Sequence, residues 1–423
     1  MPPRKLFQLP NLKIQVWILA AGRLLSQIGT GFTLFYAPIF FVDTVGLSAT
    51  EVGFGLGTSA SLSGVLGRFL GGNLTDSASF GRKKTLLLSA AISAVADIFL
   101  ALADNFPIFI IGNLLMGLGI GLYWPATEAA VVDLTTVEQR NEAFAITRLA
   151  DTIGLGLGVV LGGAWIANLG NYRGLFVVDG ISFIIFFLVI YLAISETYQF
   201  LEEDREIQIS KAWITALSDR RLLIFLLVNI LFTTYISQTQ TTMPLYFKKF
   251  VSTAEFENGF PPGIISIIYS WHIVFAAICQ LPVARFLNRF TRARSLIISM
   301  LLWGIGFIFI WVTGVADKYA LFWAFFALGI LGIAMVAYTP SASAIVADLA
   351  PPSLRGFYLG LNSQCWAIGY FIGPPLGGYS LDRSSDFADL FWLAAAASII
   401  IGIIILLYLD RLIIKSATRR QNR

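Results

Sequence analysis

The chain has 423 residues, of which 57% are hydrophobic and only 13% charged, and its 29 Lys and Arg against 25 Asp and Glu give a formal charge of +4. That is too little polar surface to coat a soluble globule, so the composition excludes a soluble domain and assigns the chain to a lipid bilayer. The small positive excess then reports membrane topology, and a nucleic-acid partner is not expected.

A bilayer core about 30 Å thick needs roughly 20 apolar residues per helix, and runs of that length recur along the sequence. They are continuous rather than alternating, which predicts helices and an all-α membrane protein instead of a β-barrel. Twelve are predicted, at residues 14–41, 52–74, 84–103, 107–132, 142–168, 174–195, 222–247, 263–284, 294–315, 319–347, 355–380 and 388–409. The first is too long for a signal-peptide core and reads as a membrane helix. Between helices two and three stand Gly72, Leu74, Asp76, Gly81, Arg82, Lys83 and Lys84. An acid and a cationic cluster in one turn can lock helix ends together, because Asp favours helix N-termini and cations favour C-termini. The longest polar stretch, 196–221, separates an N-terminal bundle (1–195) from a C-terminal one (222–423) and reads as the linker between two six-helix halves.

Internal repetition makes this division specific. Pro125, Asp133 and Arg140 recur 215 residues later as Pro340, Asp348 and Arg355, and Tyr123 and Phe176 recur as Tyr338 and Phe391. Gly154, Gly158, Gly162 and Gly163 of helix five map with the same offset onto Gly369, Gly373, Gly377 and Gly378 of helix eleven, where Pro374 replaces Val159. Helices four to six therefore repeat as ten to twelve, the parallel arrangement in which two bundles rock about a central site. Small residues at these spacings admit another helix backbone, and their presence in both halves predicts an interface that slides between bundles. The second-half counterpart of the loop between helices two and three, Asn288 to Arg294, keeps the cations and loses the acid.

Lys and Arg placement sets the orientation. Arg173, Lys248, Lys249, Lys318 and Arg383 fall on one side, Arg23 and Arg148 lie within helices, and the remaining 22 of 29 lie on the side of the termini. The positive-inside bias makes both termini cytoplasmic. Cys279 and Cys365 sit inside predicted helices, so neither a disulfide nor a metal site is expected.

An ionisable group costs roughly 2.5–3.5 kcal/mol at the bilayer centre, so each is a functional candidate by default. Arg23 on helix one, Glu128 on helix four, and Arg148 and Asp151 on helix five fall at similar depth and form a candidate cluster. Either Glu128 or Asp151 would accept and release a proton, the opposing Arg and desolvation pulling its affinity in opposite directions; a permanently paired structural network is the competing reading. Asp97, Asp179 and His272 are expected to serve packing.

Taken together, these residues resemble the major facilitator superfamily over essentially the whole chain. Gly72 to Lys84 looks like that family's signature between helices two and three, with two extra residues between Asp76 and Gly81. The glycine-proline pattern on helix eleven, Pro282-Val283-Ala284-Arg285, and Thr339-Pro340 through Gly356 resemble multidrug exporters of the drug:proton antiporter-1 group. Asn113 stands where such antiporters often carry an Arg on helix four. The resemblance implies a cavity lined by helices one, four, seven and ten, which here offer Gln27, Tyr36, Tyr123, Trp124, Asn229, Gln238, Gln240, Tyr338 and Ser341. It also implies a cytoplasmic gate at Asp76, Gly81, Arg82, Asp133, Arg140, Asp348 and Arg355. Aromatics with a few amides and hydroxyls suit amphipathic small molecules. No phosphate-binding loop occurs, so transport would draw on a gradient, with no cofactor. A proton crossing 100 mV and one pH unit supplies roughly 2.3 plus 1.4 kcal/mol. The expected function is proton-coupled export of lipophilic compounds by a monomer in a bacterial inner membrane, with import or facilitated passage of a specific metabolite as the alternative.

Overall fold

The computed structural model describes residues 12–75, 77, 79–136, 139–197, 215–251, 259–287, 289–316, 318–351 and 355–421, so that most of the linker, 198–214, lies outside them. Among these residues there is no strand, and twelve helical segments follow one another. The first, α1, runs through Ile14–Leu34 and resumes as Ala37–Asp43; α2 consists of Ala49–Gly53, a π-helical turn Phe54–Ser59, and Ala60–Thr75. Four uninterrupted helices follow: α3 (Gly81–Leu102), α4 (Phe106–Asp133), α5 (Arg140–Leu169) and α6 (Arg173–Ala193). The second series is α7 (Arg220–Gln240, continued by Thr242–Lys249), α8 (Pro262–Leu287), α9 (Arg292–Val315), α10 (Ala320–Leu349), α11 (Arg355–Leu381) and α12 (Ser385–Gln421). Ten of the segments are long and apolar enough to cross a membrane, α2 and α11 falling outside that group. The chain is a multi-pass membrane protein.

Local chemistry sets the ends. Asn105 caps α4 by accepting from the Ile108 amide at 3.1 Å, Thr291 caps α9, and Asp219 caps α7. Gly170 closes α5 in the left-handed region at φ 62°. Helix α12 outruns its expected end at 409 because the polar, basic stretch beyond Asp410 continues helical to Gln421.

Two compact units result. The first is Met1–Leu34 with Leu62–Leu201, and the second is Phe35–Ser61 with Glu202–Arg423. In the first, α1 packs on α5 and α6, and α3 packs on α4 and α6. Val16, Leu19, Leu86, Ala126, Ala130, Phe186 and Ile190 form part of its sealed core. Gly67 and Gly71 of α2 bring its backbone onto Leu118 and Leu122 of α4. In the second unit, α7 packs on α11 and α12, and α9 on α10 and α12. The 215-residue repeat thus reappears as one pairing scheme used twice.

The glycine motifs require a correction. Gly154 and Gly158 lie against Leu24, Gln27 and Ile28 of α1, inside the first unit, and Gly369, Gly373 and Gly377 lie against Thr233, Ser237 and Thr242 of α7, inside the second. Each half uses these glycines to seat its fifth helix on its own first helix, so they are packing surfaces within a unit; Gly162 and Gly163 are buried in the same helix. Pro374 and Gly378 are the exception: they meet Gly53 and Ala49 at the start of α2, so at these two positions helix eleven does meet a helix of the first six, as expected.

The π-helical turn of α2 packs on α11 at the same place. Pro374 and Pro375 lack the amide protons that would satisfy the carbonyls of Tyr370 and Phe371 four residues earlier. The Thr58 hydroxyl donates to the Phe371 carbonyl at 2.9 Å, and a side chain at Gly57 would come within 2.5 Å of the Tyr370 carbonyl. Asp382, just past α11, accepts from the Ala49 and Thr50 amides at 2.8 Å each. Ser48 and Glu51 add a capping box to the same helix start.

Candidate functional site

Four charged side chains meet in the first unit. Asp151 of α5 takes Arg23 of α1 in a two-pronged pair, with Nε donating to Oδ1 at 2.9 Å and Nη2 to Oδ2, and Arg23 Nη1 reaches the Thr127 hydroxyl at 3.5 Å. The Arg23 side chain is 1% exposed and that of Asp151 14%. Beside it, Arg148 of α5 donates to Glu128 of α4 at 3.1 Å, with side chains 57% and 48% exposed. Trp124 joins the two pairs: the Arg23 and Arg148 guanidinium groups lie 5.5 and 4.9 Å from its ring. Tyr123 packs edge-on against Trp124 and Phe186. Sequence reasoning missed Arg68 of α2, on which the Glu128 charge also acts.

The two acids therefore differ in kind. Asp151 is a fixed counter-ion, because separating it from Arg23 would strand a guanidinium with almost no water. Glu128 is half exposed and holds Arg148 through one hydrogen bond, so this pair is not sealed into the helix packing as the Arg23 bridge is.

Several of the polar residues expected in a cavity are buried, and some of them are hydrogen-bonded between helices. Asn229 donates to Asn362 at 2.8 Å and accepts from the Tyr338 hydroxyl at 2.7 Å. Gln238 donates to the Gly373 carbonyl at 2.6 Å and accepts from Thr242, holding α7 against α11. Tyr36 and Ser341 are also buried. The physical reason is that α7 and α10 hide their few hydrogen-bonding groups from the apolar phase by pairing them internally. Gln27 and Gln240 remain half-buried, Gln240 accepting from Tyr370. His272 of α8 is held by the Leu328 carbonyl at 2.8 Å.

At the basic end of the first unit, Arg82 Nε donates to Asp133 at 2.8 Å and Arg82 Nη1 to the Thr75 carbonyl at 2.7 Å. The Glu196 carboxylate, from beyond α6, accepts from the Arg82 and Lys83 amides at 2.9 and 3.1 Å. Gly81 is required there: its φ is +74°, and a Cβ would meet the Glu196 carboxyl carbon at 2.5 Å. Nothing in the local spacing announces Glu196, which lies 113 residues from Lys83. The second unit repeats the device with Asp410 of α12, which accepts from Thr291 at 2.9 Å and Arg294 at 3.2 Å. The acid that the second-half loop lacks is supplied from α12, correcting the expectation of a bare cationic loop. Arg292 lies 3.8 Å from Asp348. Asp76 and the side chains of Arg140 and Arg355 lie outside the described residues.

The chain is 24% identical over 413 residues to the MFS-type transporter YqjV of Bacillus subtilis (strain 168), covering 96% of both chains. It is also 24% identical over 380 residues to Multidrug resistance protein 2 of the same strain, covering 88% of this chain and 90% of that one. The crystal structure of the nucleoside transporter NupG superposes with a TM-score of 0.79 at 17% identity, over 95% of this chain and 99% of that one. The family model described as Major Facilitator Superfamily matches residues 19–269 and 250–422. Two units built on one pairing scheme, a repeat at constant offset and a family match along nearly the whole length lead to one conclusion: the chain belongs to the Major Facilitator Superfamily.

Proposed function

We propose that this protein is a secondary active transporter that exports small lipophilic or amphipathic compounds in exchange for protons, by alternating access. The observation that carries the reading is the pairing of a locked Arg23–Asp151 bridge with a half-exposed Arg148–Glu128 bridge around one indole ring. A carboxylate that can lose its Arg partner and reach water is what a proton carrier needs, and a rigid bridge alongside keeps the site charged throughout the cycle. Glu128 is the proton carrier in this reading and Asp151 its fixed neighbour. Trp124 and Gln27 supply the apolar and hydrogen-bonding surface for an amphipathic cargo. The relatives named for multidrug resistance support export of this kind. The basic helix ends, with Arg82 and Arg294, face the cytoplasm of a bacterial cell with both termini inside, and the working form is a monomer.

The test is transport by purified protein in liposomes carrying a fluorescent lipophilic cation. An inward proton gradient should drive export in the wild type. Glu128→Gln should leave cargo binding intact and remove its dependence on the gradient, whereas Asp151→Asn should reduce folded yield. Gradient-driven export that survives Glu128→Gln would remove this assignment. Uptake of a polar metabolite bound through Arg23 or Arg148, with no proton dependence, would favour the facilitator reading instead.

A further inference from the structure

A second pair of acids lies in the first unit, apart from the Arg23 and Arg148 bridges. Asp97 of α3 and Asp179 of α6 are each 2% exposed. The Asp179 charge acts directly on Asp97. Gly180 makes room for the arrangement: a Cβ there would stand 3.2 Å from the Asp97 Cβ. Asp97 is five residues from the end of α3 and Asp179 six from the start of α6, so both sit about 8–9 Å in from those helix ends at 1.5 Å per residue.

Their surroundings are unequal. Asp179 accepts from the Thr33 hydroxyl of α1 at 3.0 Å and, more weakly, from Ser182 at 3.4 Å. Both Asp97 carboxyl oxygens are sealed from solvent and have no hydrogen-bond partner among the described residues. Among the described residues neither acid is paired with a cation. From α1 the pair is faced by Gly29 and Thr33, and α4, which also packs on α3, contributes no ionisable group between Phe106 and Leu122. On α6 the nearest charge is Arg173, already engaged by the Ala101 carbonyl and by Asp104 at the helix ends. Two adjacent carboxylates cannot both stay ionised in such a place, since each would be desolvated and repelled.

We propose that Asp97 and Asp179 form a proton-binding pair, in which Asp97 carries the proton and Asp179 keeps the charge. The Thr33 hydroxyl stands within donating distance of the Asp179 carboxylate, at 3.0 Å, which suits an anion there. Among the buried acids of the described residues Asp97 alone lacks a donor, so the proton belongs on it. The site goes beyond the Glu128 assignment and stands whether or not Glu128 couples transport.

The experiment uses the purified full-length chain in nanodiscs near neutral pH, with infrared spectroscopy and carbodiimide labelling. The wild type should show a carboxylic-acid C=O band that shifts in D2O, and dicyclohexylcarbodiimide, which attacks protonated acids in apolar surroundings, should mark the peptide carrying Asp97. Asp97→Asn, which imitates the protonated acid, should abolish both signals, while Glu128→Gln should leave both. If Asp97→Asn does not fold, labelling of the wild-type peptide still decides. The proposal is overturned if the band survives Asp97→Asn, if the Asp97 peptide of the wild type stays unlabelled, or if sodium or potassium ions protect it from labelling at constant pH.

Discussion

Removal of the Asp151 carboxylate tests whether the buried bridge is a structural anchor. In Asp151→Ala the Arg23 guanidinium, 1% exposed, keeps the Thr127 hydroxyl at 3.5 Å and the rings of Tyr123 and Trp124, but no carboxylate bonded to it. Breaking one side of a buried pair costs about 3–5 kcal/mol. With roughly 2–4 °C of melting temperature per kcal/mol for a unit of this size, the loss should be about 6–20 °C. Arg23→Met should cost less than Asp151→Ala, because Asp151 retains 14% exposure and some water. The double substitution Arg23→Met with Asp151→Leu should recover most of the loss, since no unpaired charge remains buried. Thermal unfolding followed by size-exclusion recovery in detergent measures all three. A double variant that loses the sum of the single effects, or an Asp151→Ala shift within about 2 °C of wild type, would refute the argument.

The start of α2 offers a local test. Asp382→Ala removes the acceptor of the Ala49 and Thr50 amides; hydrogen bonds to a charged group are worth about 1.5–3 kcal/mol, less where solvent reaches them. Hydrogen exchange at 49 and 50 should therefore accelerate roughly 5–30-fold, with Asp382→Asn in between, and unchanged protection would contradict the cap. Gly81→Ala should destabilise the first unit by about 2 kcal/mol, combining left-handed backbone strain of about 1–2 kcal/mol with displacement of Glu196; thermal unfolding equal to wild type would count against it. Thr58→Val should cost about 1–3 kcal/mol by leaving the Phe371 carbonyl unsatisfied, and Thr58→Ser should restore stability. A Ser variant no better than Val would mean that the hydroxyl is not what matters.

The helices were legible in the sequence because membrane helices announce themselves by unbroken apolar length, and Pro125 with Pro340 marked the repeat without any structure. The charged cluster of Arg23, Glu128, Arg148 and Asp151 was legible for the same reason, since charges in such runs stand out. Which acid pairs with which Arg was not: Arg148 and Asp151 are one turn apart on α5, yet Asp151 turns to α1 and Arg148 to α4. The cavity was the least legible part. Helices such as α4 and α10 are apolar on every side, so no polar stripe shows how each is rotated, and Asn229, Gln238 and Tyr338 turned out to face neighbouring helices. Glu196 and Asp410 escaped notice because a carboxylate that caps a distant helix carries no signature in its own neighbourhood.

The junction of Thr58 with α11 bears on how such a chain tolerates change. Two successive prolines would normally end a helix, yet α11 runs on through Pro374 and Pro375 to Leu381. Its continuity depends in part on a hydroxyl 313 residues earlier in the chain. A hydroxyl at position 58 thus helps a proline stand at 375, and the two positions should vary together: a relative that loses the hydroxyl should also lose the proline, or replace the missing donor from another helix.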